Sequence, residues 1–227
     1  MASGRSIGCV SDSPEPVTHV LVRVWLPDRP GALGLVASRI GAVEGDIVGI
    51  DVLERGDNVA VDEFAVVLRK SVALDLLVRE IEEVDGASVE EVRTIDHFPD
   101  PRLDALESAT TLCACTTVEM LLQTLVEQTR AEFLADWSAL IVDGAILASA
   151  GDLTPEASVL GALVAGTSAS PMVADGTTGP DDLAVASLPG HAAALLLGRD
   201  GRAFRRRERA QLNALSGIAD RTWALLT

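Results

Sequence analysis

The spacing of the apolar residues between positions 18 and 95 constrains the fold of this chain more than any other feature. Alternating, β-branched segments predict strands, whereas apolar residues three or four positions apart predict helices. The two patterns succeed one another here in the order strand, helix, strand, strand, helix, strand. This order predicts an α+β domain in which two helices cover one face of a four-stranded antiparallel sheet. The predicted strands are residues 19–26, 47–53, 59–68 and 88–95, and the predicted helices begin near Pro30 and Ser71.

Turn-forming residues separate these segments where the predicted order needs a change of direction. Pro27 ends the first strand, and Pro30 lies in the first turn of a helix, where its missing N–H group costs nothing. Residues 55–58 predict a hairpin turn between the second and third strands. Ser71 predicts the N-cap of the second helix.

The remainder of the chain predicts a second α+β domain. Residues 107–227 combine a helical stretch interrupted near Cys113, two hairpins with a short helix between them, a loop at 166–180 and a final helix. Residues 1–17 are rich in Ser, Gly and Pro and predict a disordered leader. The predicted organisation is therefore leader 1–17, first domain 18–95, linker 96–106 and second domain 107–227.

Charge and hydropathy exclude several classes of partner. The chain has 34 acidic and 18 basic residues, a formal net charge of −16, and such a surface repels nucleic-acid phosphates. No apolar run reaches the roughly 18 to 20 residues that a membrane-spanning helix needs, and the first residues lack the apolar core of a signal peptide. We therefore expect a soluble, cytoplasmic protein without nucleic-acid or membrane partners.

Residues 28–34, Asp-Arg-Pro-Gly-Ala-Leu-Gly, lie between the first predicted strand and the first predicted helix. With the element order around it, this segment resembles the signature loop of ACT domains over roughly residues 18–95. The resemblance implies a ferredoxin-like regulatory module that pairs side by side into a homodimer. It also implies allosteric binding of an amino acid at the interface between the paired subunits.

The loop has the chemistry that an amino acid requires. Gly31 lets the backbone approach a ligand closely, and N–H groups at a helix N-terminus favour a carboxylate. Asp28 is the first candidate for the ligand's ammonium group, and the resemblance adds residues of the second strand from the paired subunit. Asp46 stands where several amino-acid-sensing relatives carry Asn. The predicted ligand-binding residues are Asp28, Arg29, Pro30, Gly31, Ala32, Leu33, Gly34, Asp46, Val48, Gly49, Ile50 and Asp51.

A purely structural interpretation of the same residues stays open. Asp28 caps the helix in that case, Pro30 and Gly31 make the turn, and Asp51 faces solvent. The module would then pair subunits without binding any ligand.

The second half is similar to GAF domains from about residue 118 to residue 226. The similarity rests on the opening helix that leads into residues 137–142, and on residues 194–199 followed by Phe204 and residues 208–212. It implies a small-ligand pocket beside a sheet, or dimerisation through the terminal helices. Neither a chromophore-type cysteine nor a haem-type histidine stands out, so no cofactor is expected.

No catalytic or metal-binding constellation is visible in the sequence. Cys113 and Cys115 are read as packing residues rather than a redox pair, and His191 as a structural residue at the start of a strand. An arginine cluster has three readings: a solvated helix face, a surface that pairs with acidic residues, or an anion site. Its members are Arg202, Arg205, Arg206, Arg207 and Arg209.

These observations predict a non-enzymatic regulatory protein. It binds an amino acid at an ACT-like dimer interface and signals through its assembly or through a protein partner. The alternative prediction is a ligand-free assembly module that uses both domains for oligomerisation.

Overall fold

The computed structural model describes residues 16–169 and 179–227. The chain divides into two compact units, Met1–Phe98 and Pro99–Thr227. The predicted leader lies outside the described residues except for its last two positions, and Val17 already belongs to the first strand.

The first unit contains the predicted order of elements, β-α-β-β-α-β. The hydrogen-bonded order of its strands is β2-β3-β1-β4, and every pair is antiparallel. β1 and β3 are therefore central, and β2 and β4 are the edge strands. The elements are β1 (Val17–Pro27), α1 (Ala32–Ala42), β2 (Asp46–Gly56), β3 (Val59–Arg69), α2 (Leu74–Glu82) and β4 (Ser88–Ile95).

The core of the first unit lies between one face of this sheet and the two helices. Every second residue of β1 and β3 points to that face, because strand side chains alternate in direction. Leucine, isoleucine and valine fill the space, with Phe64 as the single aromatic of the cluster. Buried members include Val20, Val22, Val24, Val36, Ile40, Phe64, Val66, Leu68, Leu77 and Ile81.

The helix starts differ from the prediction in one respect. α2 has Ala73 at its N-cap and no side-chain cap hydrogen bond, so the prediction that Ser71 caps this helix was wrong. Ser71 instead lies in the turn between β3 and α2. The amphipathic pattern of α2, with Leu77 and Ile81 buried, sets its position without a cap.

The second unit is a second antiparallel sheet with helices on both faces. Its strand order is β6-β5-β8-β7. One core cluster lies between the sheet and α3, α4 and α6, and a smaller cluster lies between the opposite face and α5. The elements are α3 (Pro101–Cys113), α4 (Val118–Glu132), β5 (Trp137–Val142), β6 (Ala145–Ala150), α5 (Ala157–Ser168), β7 (Leu183–Leu188), β8 (Ala193–Gly198) and α6 (Arg206–Leu226).

Two boundaries depart from the prediction. α3 begins inside the predicted linker because the Asp100 carboxylate accepts the N–H groups of Arg102 and Leu103, and Pro101 occupies the first helical turn. The segment without regular structure therefore ends at Asp100. Most of the predicted loop at 166–180 lies outside the described residues, and its first positions belong to α5. No helix in the described part of the chain has the length and apolar character needed to cross a bilayer.

Candidate functional site

The β1–α1 loop is held in place by the turn of the neighbouring hairpin. Asp57 and Asn58 both have positive φ, 52° and 63°, as the two central residues of a tight turn between twisted strands require. The Asn58 carbonyl of that turn accepts the N–H group of Asp28 at 2.9 Å. Arg29 then donates its N–H group to the Pro27 carbonyl at 2.8 Å. The predicted hairpin turn is thus confirmed, and it fixes where the loop begins.

The N-terminus of α1 has no side-chain cap. Gly31 occupies the N-cap position with φ of 90°, and no side chain accepts a hydrogen bond there. The interpretation of Asp28 as a helix cap is therefore wrong. The Asp28 carboxylate lies 3.1 Å from the guanidinium of Arg55, an exposed residue near the end of β2.

The free donors of α1 are fewer than expected. The Ala32 N–H group donates to the Arg29 carbonyl at 3.2 Å, so it is not available to a ligand. Leu35 is the first helical residue to donate within the helix, to Gly31 at 3.0 Å. Among the described residues, no acceptor bonds the N–H groups of Leu33 and Gly34. These two N–H groups lie at the positive end of the helix dipole, where a negatively charged group is favoured.

The backbone of the loop leaves open space beside both glycines. A methyl group built on Gly31 or on Gly34 would meet no atom within 4 Å. Gly31 has the left-handed conformation that glycine tolerates best, whereas Gly34 has ordinary helical geometry. The uncapped end of α1 is therefore open to solvent.

Asp62 is the residue of this site that sequence reasoning missed. It lies on β3 opposite Val24 of β1 and Val52 of β2, with its side chain on the helix-covered face of the sheet. Ala60, two residues earlier on the same face, packs against Ala32, the first residue of α1. Asp62 therefore lies on the same helix-covered face, one alternate position of β3 from Ala60.

The Asp62 carboxyl is buried without full hydrogen bonding. Asp62 is 4% exposed, and its Oδ1 accepts no hydrogen bond from any described group. Burial raises the pKa of Asp62 above its usual 3.8, the positive charge of Arg55 opposes the rise, and the negative charge of Asp28 adds to it. The sequence carried a signal, since an acid interrupts the apolar alternation Ala60, Phe64, Val66.

The residues predicted on β2 do not reach the loop within one copy of the chain. Asp46 pairs with Val67, while Pro27 at the loop end pairs with Val59, so the two levels are about 26 Å apart along β3. Asp51 pairs with Glu63, on the face of the sheet that the helices do not cover. Gly49 lies on that same face, opposite Ala65.

Part of β2 instead forms an apolar edge. Val48, Ile50 and Val52 are 52%, 40% and 43% exposed, on a strand that pairs on one side only within the described residues. Ile50 and Val52 lie on the helix-covered side, and the register of the ladder is irregular at Val48. Unpaired edges of this kind are templates for another strand.

A cavity of about 400 Å³ lies in the second unit beside the start of β7 and the end of β8. Three carboxylates line it, from Asp136, Asp182 and Asp200, together with the indole of Trp137. Arg199 also borders it, but this side chain is 4% exposed and is bonded to Glu208 at 2.8 Å and to backbone carbonyls. The guanidinium of Arg199 therefore serves the fold.

The arginine cluster is not a solvated helix face as a whole. Arg205 and Arg209 are buried, and Arg209 donates to the carbonyls of Leu183, Pro180 and Phe204. Backbone carbonyls before and at the start of β7 need donors there, and a guanidinium supplies several. The solvated-face prediction is wrong for these two residues, whereas Arg206 is exposed.

His191 lies in a one-turn 3₁₀ helix, Pro189–His191, and β8 begins at Ala193, so the prediction that His191 opens a strand was wrong. Its Nδ1 is 2.8 Å from the Asp220 carboxylate, and its ring stacks on Trp223 with centroids 4.1 Å apart. This packing is a structural role. Both cysteines are free thiols; Cys115 is buried in the core as predicted, whereas Cys113 is exposed, so its interpretation as a packing residue was wrong. No cluster of three potential metal ligands occurs among residues 16–169 and 179–227.

Comparison with known proteins gives little further information. No protein-family model matches the chain, and no curated protein matches it. Among solved structures it is similar to an unknown protein from Galdieria sulphuraria, at 14% identity over 44% of this chain and 64% of that one, with a TM-score of 0.32. It is also similar to a bacteriophytochrome from R. palustris, at 8% identity over 77% of this chain and 42% of that one, with a TM-score of 0.32. The chain spans less than two thirds of either protein, and similarities this weak carry no argument.

Proposed function

We propose that the first unit is an ACT-like module with a ferredoxin-like fold and that it binds an amino acid at the N-terminus of α1. The observation that carries this proposal is the pairing of two unused N–H groups, on Leu33 and Gly34, with carboxyl groups at the same end of the helix. The N–H groups match a carboxylate, and an acid matches an ammonium group. A zwitterion of small size fits both requirements.

Pairing of two copies along β2 would complete the site. In an antiparallel pair of β2 strands centred on the middle residue, Asp51, Asp46 of the second copy comes opposite Gly56 of the first. Gly56 follows Arg55, which contacts Asp28 of the loop. This arrangement would bring the predicted residues on β2 of one copy to the predicted loop residues of the other copy. It would also cover the apolar edge of β2. A homodimer is therefore part of the proposal.

The regulatory mechanism follows from the dimer. A ligand held between two copies stabilises one pairing, and it shifts the assembly only by its differential affinity for the two states. The second unit, proposed as GAF-like, and a protein partner that reads the assembly would provide the output. The protein is in this view non-enzymatic and cytoplasmic.

The second candidate function is assembly without a ligand. The exposed apolar edge of β2 supports it, because such an edge favours strand addition whether or not a ligand is present. This candidate and the amino-acid sensor differ only in their response to ligand.

A thermal-shift screen of the full chain against the twenty amino acids separates the two candidates. A ligand at about 100 times its Kd adds about 2.7 kcal/mol to the free energy of unfolding of the unit that binds it. One amino acid should raise the midpoint in the wild-type chain and in a Gly41→Leu control. The same amino acid should have no effect on Gly34→Leu, whose new side chain occupies the space beside the free N–H groups.

The control is matched because both glycines lie in α1 and neither has an atom near the position of an added methyl group. No shift with any amino acid would favour the assembly module. A shift that survives in Gly34→Leu would move the binding site away from α1.

A further inference from the structure

We propose that the buried carboxyl of Asp62 is the group that binds the ammonium of the ligand, and this inference rests on the proposed amino-acid site. The loop residue Asp28 was the expected partner of that ammonium group. The structure points instead to a residue of β3, which lies outside the predicted loop residues and outside the predicted residues of β2.

The position of Asp62 supports this role. Its neighbours in the ladder are Val24 on β1 and Val52 on β2, and Ala60 on the same face contacts the first residue of α1. Asp62 therefore lies on the face that α1 covers, one alternate position of β3 from Ala60, and close enough to Asp28 of the loop to feel its charge. In the proposed complex the carboxylate of the ligand bonds the N–H groups of Leu33 and Gly34, and its α-ammonium is directed toward the helix-covered face of the sheet, where Asp62 lies.

The alternatives for an ammonium partner are less suitable. The Asp28 carboxylate is already paired with Arg55, with 3.1 Å between Nη2 and Oδ1. That pair is exposed to solvent, where an ion pair contributes little binding energy. Asp62 is 4% exposed and its Oδ1 has no hydrogen-bond donor among the described residues. A buried carboxyl oxygen without a donor is costly, and an ammonium group removes that cost.

The charged groups near Asp62 make the interaction dependent on pH. Arg55 of β2 favours the carboxylate, and Asp28 of the loop disfavours it, while β1 contributes only the apolar Val24 and the first turn of α1 contains no acid. Burial dominates, so the pKa of Asp62 is raised in the free protein. Below that pKa a cation must displace the proton, so affinity should rise with pH through the pKa of Asp62 and level off above it.

The test measures binding by calorimetry from pH 4 to pH 8 in the full-length chain, with the wild type, Asp62→Asn and Asp57→Asn. Asp57 is a matched control, since it lies in the adjacent turn with φ of 52°, a conformation that Asn also tolerates. Loss of a charge-assisted bond should weaken binding of the amino acid by roughly 10- to 100-fold in Asp62→Asn. It should also abolish the dependence on pH, and Asp57→Asn should behave as the wild type.

A second measurement follows the carboxyl carbon of Asp62 by NMR during titration with the amino acid and, separately, with methylammonium. A bound cation should lower the pKa of Asp62, whereas a merely structural carboxyl would not respond. If an amino acid binds equally well to the wild type and to Asp62→Asn, the inference fails and the proposed function stands.

If no amino acid binds, the proposed function fails. The titration with methylammonium then tests separately whether Asp62 binds a cation. A lowered pKa with methylammonium would retain a cation site at Asp62. An unchanged pKa would overturn it.

Discussion

Two glycines of the candidate site differ in what a side chain would cost, although both face open space. Gly31 has φ of 90°, a conformation that an L-residue adopts at a cost of about 1–2 kcal/mol. Gly34 is helical, and alanine in a helix is about 0.5–1 kcal/mol more favourable than glycine. The conformational freedom of glycine therefore matters at Gly31 and not at Gly34.

We expect Gly31→Ala to lower the melting temperature of the first unit and Gly34→Ala to raise it or leave it unchanged. Scanning calorimetry of the full-length variants measures both effects under the same conditions. Equal destabilisation by the two substitutions would contradict the left-handed assignment of Gly31.

The burial of Asp62 has a consequence for stability in the absence of ligand. Its raised pKa means that the native state binds this proton more tightly than the unfolded chain does, so native stability falls as pH rises from 3.8 through the native pKa. Asp62→Asn removes this titration. The free energy of unfolding of Asp62→Asn, relative to that of the wild type, should therefore increase as pH rises from acidic to neutral. Urea unfolding at several pH values measures it. If the difference in free energy of unfolding between variant and wild type stayed constant over that pH range, the pKa of Asp62 would not be raised.

At the level of elements, Arg199 joins the end of α4 to the segment before α6. Its guanidinium donates to the carbonyl of Phe133, the C-cap of α4, and to the carbonyls of Arg202 and Ala203. It also pairs with Glu208 in the first turn of α6 and lies 3.9 Å over the ring of Phe204. Lysine cannot reproduce this set, because its donors radiate from one nitrogen.

Arg199→Lys keeps the positive charge but leaves buried carbonyls without donors, so it should destabilise the second unit by about 3 kcal/mol. Arg206→Lys is the control, an exposed arginine of the same region that should change stability by less than about 0.5 kcal/mol. Urea unfolding of both variants provides the measurement. Equal stability of Arg199→Lys and the wild type would mean that the hydrogen bonds of Arg199 contribute nothing.

Glu132 connects three helices of the second unit. Its carboxyl, at the end of α4, accepts hydrogen bonds from Ser108 of α3 and Gln211 of α6. Burial raises the pKa of Glu132 above its usual 4.5, these two hydrogen bonds oppose the rise, and the charge of Asp104 adds to it. The desolvation of the carboxylate thus outweighs its hydrogen bonds.

We expect stability of the second unit to fall as pH rises from 4.5 through the native pKa of Glu132. Glu132→Gln keeps an acceptor for one of its partners, and it should flatten this part of the stability profile measured by calorimetry. A profile unchanged by the substitution would assign the pH dependence to other groups.

At the level of the whole molecule, the edge of the first sheet determines how copies of the chain can meet. β2 has 11 residues, is paired on one side within the described part of the chain, and exposes Val48, Ile50 and Val52. A lysine on such an edge opposes strand addition, because its charge would be buried between strands. The net charge of −16 works against association elsewhere on the surface.

Ile50→Lys should convert the proposed dimer to a monomer without unfolding it, because Ile50 is already 40% exposed. Light scattering after size exclusion measures the mass, and circular dichroism checks the fold. Val159→Lys, at an exposed apolar position of α5, is the control and should keep the wild-type mass. A wild-type chain that is monomeric at high concentration would contradict the pairing itself.

The sequence by itself determined the order of the elements and the loop of the candidate site. Apolar periodicity is a local property, so the six elements of the first unit and the interruption near Cys113 were predicted near their observed bounds. Turn chemistry is local too, and it placed the β2–β3 turn. The predicted linker was too long, because charged residues and proline occur both in linkers and at helix N-termini. Asp100 and Pro101 start a helix where they had indicated a linker.

Only the tertiary structure decided which polar groups are buried and which of them lie together. Asp62 joins the proposed site because β3 lies between β1 and β2, and because Ala60 on the same face packs with Ala32 of α1. The same strand order keeps Asp46 and Asp51 of one copy away from the loop. Arg199 and Arg209 are buried by elements distant in sequence. Burial and charge proximity depend on such neighbours, and the spacing of residues along the chain does not contain them.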